Sequence, residues 1–277
     1  MTLTLPAPAK INLFLHITGR REDGYHNLQT LFQLLDYGDL LTFKVTECGN
    51  IKVTPQIEGV TEQDNLIFLA AKLLQTTSGC HQGCTINLEK RLPMGGGLGG
   101  GSSDAATTLV ALNHLWQCRF STTELAELGR QLGADVPVFV EGNSAFAEGI
   151  GEQLTPVKLP ERWFLVVTPD CEVPTAEIFS HPQLTRDSSP IKIRALSGEQ
   201  LRNDCQTVVE KLYPQVKDVV DWLADYSEPL MTGTGASVFS SFATREEAQD
   251  VLSQLPKPWK AFVARGVNRS TLYQHLP

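Results

Sequence analysis

The chain has 277 residues, more than one compact core usually holds, so one large or two modest domains are expected. Hydrophobic residues make up 42% of it, enough to build such cores, and acidic residues outnumber basic ones to leave a formal charge of −8. That charge disfavours non-specific contact with nucleic acid, so a phosphorylated ligand must be held by local donors against the overall field. No apolar run approaches the roughly 18 residues of a membrane span, and no signal peptide is evident; a cytoplasmic protein with no membrane partner is expected. The six cysteines are dispersed, as in a reduced protein, and Cys80-His81-x-x-Cys84 lacks the second ligand pair that a zinc site needs.

In chain order, Ile11 to Ile17 reads as a strand, followed by a polar, turn-rich loop from Gly19 to Gly24. Leu28 to Leu35 is apolar, and Leu40 to Val45 and Ile51 to Ile57 alternate as strands do. Asp64 stands where it can cap a helix carrying Leu66, Ile67, Ala70, Leu73 and Leu74. Cys84 to Leu88 is β-prone. Beyond it comes a run from Pro93 to Ala106 in which six of the seven positions 95 to 101 are glycine. Ala105, Ala106, Leu109, Val110, Leu112, Leu115 and Trp116 then recur at helical spacing, which predicts an amphipathic helix. Ser121 and Glu124 form a capping box ahead of Leu125, Leu128 and Leu132, Gly133 ends that helix, and Ala134-Asp135-Val136-Pro137 opens a new segment.

A boundary is expected near Pro156 to Pro160. Beyond it Trp163 to Val167 reads as a buried strand, Pro182 to Pro190 as loop, and 205–213 and 215–226 as helices. A second glycine loop, Met231 to Ser237, leads into Val238-Phe239. Thr244 and Glu247 cap a helix with Ala248, Val251, Leu252 and Leu255, and Ala261 to Ala264 is the last strand. Strands and helices mix without strict alternation, which favours α+β in two domains over a doubly wound sheet.

The plan around the glycine run is strand, loop, helix, and that plan predicts a phosphate cradle. Glycine lets the backbone fold tightly round a ligand, and the next helix aims its free N–H groups and positive dipole end into the loop. Ser102 and Ser103 sit where they can cap that helix or offer hydroxyls to a phosphate or metal. The P-loop pattern fails because no lysine follows the glycines. The pattern G-x-G-x-x-G fits at Gly95, Gly97 and Gly100, but a run so rich in glycine matches it by accident. Glu124 and Glu127, at the distance of a ribose-binding acid, fall on a helix, which argues against a nicotinamide cofactor.

Pro8-Ala9-Lys10-Ile11-Asn12-Leu13, Pro93 to Ala106 and Met231 to Ser237 together resemble the three motifs of the GHMP kinase superfamily, and the likeness spans the chain. Asp23-Gly24-Tyr25-His26, Gly133 to Pro137 and Leu230 to Gly235 resemble the branch that phosphorylates a cytidine-diphosphate sugar alcohol on the way to isoprenoid precursors. The resemblance implies an α+β, two-domain GHMP kinase architecture: an N-terminal ATP-binding domain, residues 1–157, and a C-terminal ferredoxin-like α/β sandwich domain, residues 158–277. It implies ATP as co-substrate, a small-molecule cytidine-diphosphate sugar alcohol as partner, and phosphoryl transfer to a hydroxyl.

By the same resemblance Asp135 is the expected base, with a structural cap for the segment at Pro137 as its other reading. Lys10 is expected beside it, stabilising developing charge. Pro93, Met94, Gly95, Gly96, Gly97, Leu98, Gly99, Gly100, Gly101, Ser102 and Ser103 are expected to hold the phosphates, and Asn65, Leu66, Lys90 and Met94 the adenine. Tyr25 and Phe179 would stack on the cytosine from opposite sides, His26 would bond its polar edge, and Asn12 would hold the substrate near its hydroxyls. Mg²⁺ is expected with ATP. Its protein ligands stay unassigned, Ser102 or Ser103 being the nearest choice, because Glu124 and Glu127 lie on a surface-looking helix. Oligomeric state is not legible. A GHMP kinase acting on mevalonate-type or amino-alcohol substrates is one alternative, disfavoured by Asp23 to His26, since a small acid needs no base clamp. A non-catalytic nucleotide-binding module is the other, disfavoured by the presence of both Lys10 and Asp135.

Overall fold

Strand β1 runs from Thr2 to Arg20 and pairs antiparallel with β2, His26–Thr46. The computed structural model that carries them describes residues 2–192 and 201–276. Both strands are longer than predicted. Among the named strands β1 pairs with β2 alone, so it is an edge, where Pro6 and Pro8 can sit without breaking a ladder. The turn-like Asp36 to Asp39 stays extended because β1 pairs across it, Ala7 opposite Asp39 and Pro8 opposite Gly38.

The strands join in one sheet of order β3-β4-β2-β10-β7-β9-β8. Here β3 is Ile51–Thr54, β4 Gly83–Glu89, β7 Trp163–Thr168, β8 Pro229–Met231, β9 Val238–Phe242 and β10 Lys260–Val267. All pairings except β3 with β4 are antiparallel, which bears out α+β against a doubly wound sheet. A hairpin of β5, Ala145–Glu148, and β6, Gln153–Pro156, hangs from β2 and was not predicted.

Helices α1 (Leu66–Ser78), α2 (Gly100–Leu115), α3 (Thr122–Arg130) and α4 (Val136–Glu141) cover the N-terminal part of the sheet. Every residue of α2 from Ser103 to Leu112 is buried, so it is a central helix and not the amphipathic one expected. Both predicted capping boxes form. Three capping expectations do not hold. Asn65, not Asp64, caps α1, its Oδ1 accepting from Ile67 N at 3.0 Å. Gly99 in the left-handed region begins α2, which puts Ser102 and Ser103 inside its first turn. Helix α3 closes on Gln131, short of Gly133.

On the C-terminal half, Leu165, Val167 and Val238 face helices α6 (Gln206–Leu212), α7 (Pro214–Ala224) and α8 (Arg245–Leu252). The other face of those strands, Phe164, Val166, Phe239 and Ala264, packs on Ala9 and Ile11 of β1 and on Leu92 and Leu98 beside the glycine run. Burial of each large side chain there stabilises by roughly 1.5–3 kcal/mol. This shared core is what seats β1 and the glycine loop against the C-terminal strands. No helix among the described residues is long and apolar enough to cross a membrane.

Candidate active site

Side chains alternate along a strand, so the face of β1 opposite Ala9 and Ile11 carries Lys10 and Asn12. The register with β2 shifts between Pro8 and Lys10 and again between Asn12 and Leu15, irregularities of the kind that re-aim side chains beside a site. Lys10 is 3% exposed. Its Nζ donates to Asn12 Oδ1 at 2.7 Å and to Gly97 O at 3.1 Å, and lies 3.3 Å from Asp135 Oδ2. The ring of Phe32 sits beneath it, 5.3 Å from the ammonium. A buried ammonium is tolerable only with such partners, so this is no surface lysine.

Asp135 holds the N-cap position of α4, yet its side chain makes no capping bond. The carboxylate is turned to Lys10 and remains about one-third exposed (33%). The capping role weighed from sequence is therefore not what its side chain does.

Two cavities adjoin beside this pair, which lines the larger of them. The larger, about 740 Å³, is lined by Lys10, Asn12, Tyr25, His26, Asp135 and Phe179 among others, with Thr175 and Gly233 from the C-terminal half. The smaller, about 340 Å³, is lined by Asn65, Leu66, Lys90 and every residue from Pro93 to Ser102. Gly97, Gly99 and Ser102 border both. The N–H groups of Gly95 to Gly99 donate to no backbone carbonyl among the described residues, and the open N-terminus of α2 follows them. A polyanion reaching from the small cavity to Lys10 would meet these donors.

The sequence-predicted residues fall into those two groups with one exception. Ser103 lines neither cavity; it is fully buried and its hydroxyl has no partner. Lys90 borders the small cavity but is not free: its Nζ donates to Asp39 Oδ2 at 2.5 Å and to Asp104 Oδ2 at 3.1 Å. Asp39 Oδ1 also accepts the backbone N–H groups of Arg91 and Leu92, so this cluster anchors the entry to the glycine run. Burial pushes the Asp104 carboxyl up to about 7, against the pull of Lys90. Asn65 both caps α1 and faces the small cavity. Asn12 is held at both ends of its amide, donating to Thr30 Oγ1 at 2.8 Å and accepting from Lys10.

Tyr25 projects into the large cavity, 61% exposed. Across from it, Phe179 on α5 (Thr175–Ser180) packs partly on the C-terminal core and stacks on the His26 ring, with centroids 5.3 Å apart and planes at 24°.

Family models match two parts of the chain: GHMP kinases N terminal domain over residues 65–143 and GHMP kinases C terminal over 184–261. A 4-diphosphocytidyl-2-C-methyl-D-erythritol kinase from Pseudomonas savastanoi pv. phaseolicola is 57% identical over 274 residues, covering 99% of this chain and 95% of its own. The protein of that name from Pseudomonas syringae pv. syringae is 57% identical, covering 99% and 97%. A crystal structure of 4-(cytidine 5'-diphospho)-2C-methyl-D-erythritol kinase superposes with a TM-score of 0.85 at 33% identity, covering 96% of this chain and all (100%) of that one. The chain belongs to this family of GHMP kinases.

Sequence reasoning missed several residues around the kinase site. Thr232 is completely buried; its hydroxyl accepts from Asn12 N at 3.0 Å and donates toward Asn12 Oδ1 and Gly97 O. It ties the second glycine loop to the first and to β1. Asn203 Nδ2 in turn donates to the carbonyls of Met231 and Gly233. The motif Met231-Thr232-Gly233 was the available signal for Thr232. Neither Asn203 nor Arg186, discussed below, stands in any motif.

Proposed function

We propose that this protein transfers the γ-phosphoryl group of ATP to the 2-hydroxyl of 4-diphosphocytidyl-2-C-methyl-D-erythritol, a step in the non-mevalonate route to isoprenoid precursors. The observation that carries this reading is the meeting of two cavities, one rimmed by unpaired loop N–H groups and one by aromatic rings, at Gly97, Gly99 and Ser102, with Lys10 and Asp135 in the wall of the second. ATP lies with its adenine near Asn65, Leu66, Met94 and the edge of Lys90, and its phosphates along Gly95 to Ser102. The cytosine is gripped by Tyr25 and Phe179, with His26 on its polar edge. The hydroxyl to be phosphorylated lies against the Lys10–Asp135 pair, within reach of both.

Phosphoryl transfer asks for alignment and for neutralisation of charge on the γ-oxygens. Asp135 accepts the hydroxyl proton, and Lys10 offers a fixed cation to the charge that develops. Asn12 acts mainly through Lys10, whose ammonium it orients. When bound with ATP, Mg²⁺ would help to neutralise the charge of the phosphates. No three His, Cys, Asp or Glu side chains cluster as a metal cage among the described residues, and the Ser102 hydroxyl is the donor best situated to join its shell. We read residues 1–157 as the ATP-binding domain and 158–277 as its partner, the division falling between β6 and β7.

ADP release in the presence of ATP and a panel of alcohols tests the reading. Turnover is expected with the cytidylylated methylerythritol, with the product phosphate located on the 2-hydroxyl by ³¹P NMR. Preference for mevalonate or an amino alcohol, or no turnover at all, would sink it.

Two pairs of variants probe the two cavities separately. Tyr25→Ala is expected to raise KM for the cytidylyl substrate by roughly 5- to 150-fold, the worth of one stacked base, with ATP affinity unchanged. Phe179→Ala should do the same, with some loss of stability from its core contact. Calorimetry that found the loss in ATP binding would misassign both rings. Gly97 and Gly99 have φ near +70°, which β-branched residues resist. A Cβ on Gly97 would stand 2.3 Å from Thr232 O, and one on Gly99 2.8 Å from the Phe139 ring and 3.2 Å from Lys10 Cε. Valine at either position is therefore expected to abolish ATP binding and displace Lys10 as well, while far-UV circular dichroism is retained. Normal ATP titration by either variant would mean the phosphates lie elsewhere.

A further inference from the structure

Arg186 lies in a polar loop, Gln183-Leu184-Thr185-Arg186-Asp187, with nothing in its sequence to mark it. Its contacts do. Nη2 donates to the carbonyls of Phe179 at 3.0 Å and His181 at 2.8 Å, at the C-terminal end of α5, and Nη1 donates to Leu184 O at 3.1 Å. Nε donates to Nε2 of His26 at 3.0 Å, across the cavity wall and 160 residues away in sequence. One side chain thus joins the element bearing Phe179 to the start of β2.

The bond to His26 has a chemical consequence. A guanidinium has donors only and stays charged. Nε2 of His26 must then offer a lone pair, and a neutral imidazole that accepts at Nε2 carries its proton on Nδ1. An imidazolium would have no lone pair to offer. Burial and the two nearby cations, Arg186 and Arg20, also hold the His26 pKa below its ordinary value. Nδ1 has no hydrogen-bond partner among the described residues, and it is not one of the enclosed unpaired atoms, although His26 lines the large cavity. The Nδ1–H is left for a ligand.

We propose that Arg186 is a positioning residue that fixes His26 as a neutral Nδ1–H donor, beside Phe179, for an acceptor atom of the bound nucleobase. The ring carbonyl and imino nitrogen of cytosine are acceptors of that kind. The inference deepens the reading of this cavity as a cytidine site and rests on it for the identity of the base. A side chain that merely closed the end of α5 would leave the imidazole tautomer and the choice of base untouched.

Two measurements test it. Long-range ¹H–¹⁵N spectra of the ligand-free enzyme are expected to show His26 as one neutral tautomer protonated on Nδ1, and a mixture in Arg186→Met. In kinetics, Arg186→Met is expected to raise KM for the cytidylyl substrate roughly 3- to 10-fold, the scale of one hydrogen bond, with kcat and the KM for ATP little changed. In a His26→Phe background the same substitution should add nothing, because the two side chains act as a unit. If Arg186→Met does not fold, Arg186→Lys, which keeps the charge but has lost the fork, serves for both readouts. An active wild-type enzyme with mixed His26 tautomers, an unmoved KM, or additive effects in the double variant overturns the role given to Arg186. A wild-type enzyme with His26 held on Nδ1–H but inactive on the cytidylyl alcohol overturns the substrate reading instead.

Discussion

Replacing Asp135 by asparagine is expected to lower kcat by roughly 10²- to 10⁴-fold while ATP still binds, since general base catalysis contributes on that scale. The substitution is a clean one here. The Asp135 side chain makes no capping bond to α4, so an amide in its place removes nothing that holds the helix. The side chain is about one-third exposed and near-isosteric with asparagine, so no void forms; the buried Lys10 ammonium loses the carboxylate 3.3 Å away, and a modest fall in melting temperature is expected with it. Lys10 keeps its bonds to Asn12 Oδ1 and Gly97 O, so the cation stays where it is. What disappears is the capacity to accept the hydroxyl proton. Single-turnover kinetics with saturating ATP, set beside calorimetric titration of the nucleotide, separates chemistry from binding. A variant within a few-fold of wild type would show that alignment and charge neutralisation carry the step, and that Asp135 serves only to hold Lys10.

Much of this site was legible because its chemistry is written in short-range patterns. Lys10 and Asn12, two apart, share a face in any strand, and a glycine run between strand and helix has few uses other than cradling phosphate. Ser121 with Glu124 and Thr244 with Glu247 satisfy their own helix ends whatever the tertiary context. Long-range geometry was not legible. Nothing near Lys90 announces that Asp39 and Asp104, 51 and 14 residues away, bind its ammonium. Ser102 and Ser103 look like caps, but the left-handed Gly99 starts the helix early and takes that position from them. The β5–β6 hairpin and the six-residue α5 are too short for a period to show. Phe179, expected as one side of the base clamp, packs on the C-terminal core and lines the cavity at once.

Lys10→Met is expected to lower kcat by roughly 10²- to 10³-fold, the range seen when one fixed donor to developing charge is removed, with little change in KM for the cytidylyl substrate. Methionine keeps the length and the apolar stem over Phe32, so the packing beneath the ammonium is preserved. The groups it deserts are two buried acceptors, Asn12 Oδ1 and Gly97 O. The Thr232 hydroxyl, 3.2 Å from the first and 3.1 Å from the second, can still serve one of them. One buried acceptor left unpaired costs about 1–3 kcal/mol, so a lowered melting temperature is expected together with a retained fold. Substrate affinity should hold because the proposed grip on the base, at Tyr25, His26 and Phe179, does not involve Lys10. The cation matters once charge builds on the reacting oxygens, and an interaction stronger in the transition state than in the ground state appears in kcat. Steady-state kinetics read alongside a thermal melt decides between the two contributions. Normal kcat with a lowered melting temperature would make Lys10 a strut between β1 and the two glycine loops, and would leave catalysis to Asp135 and the loop N–H groups.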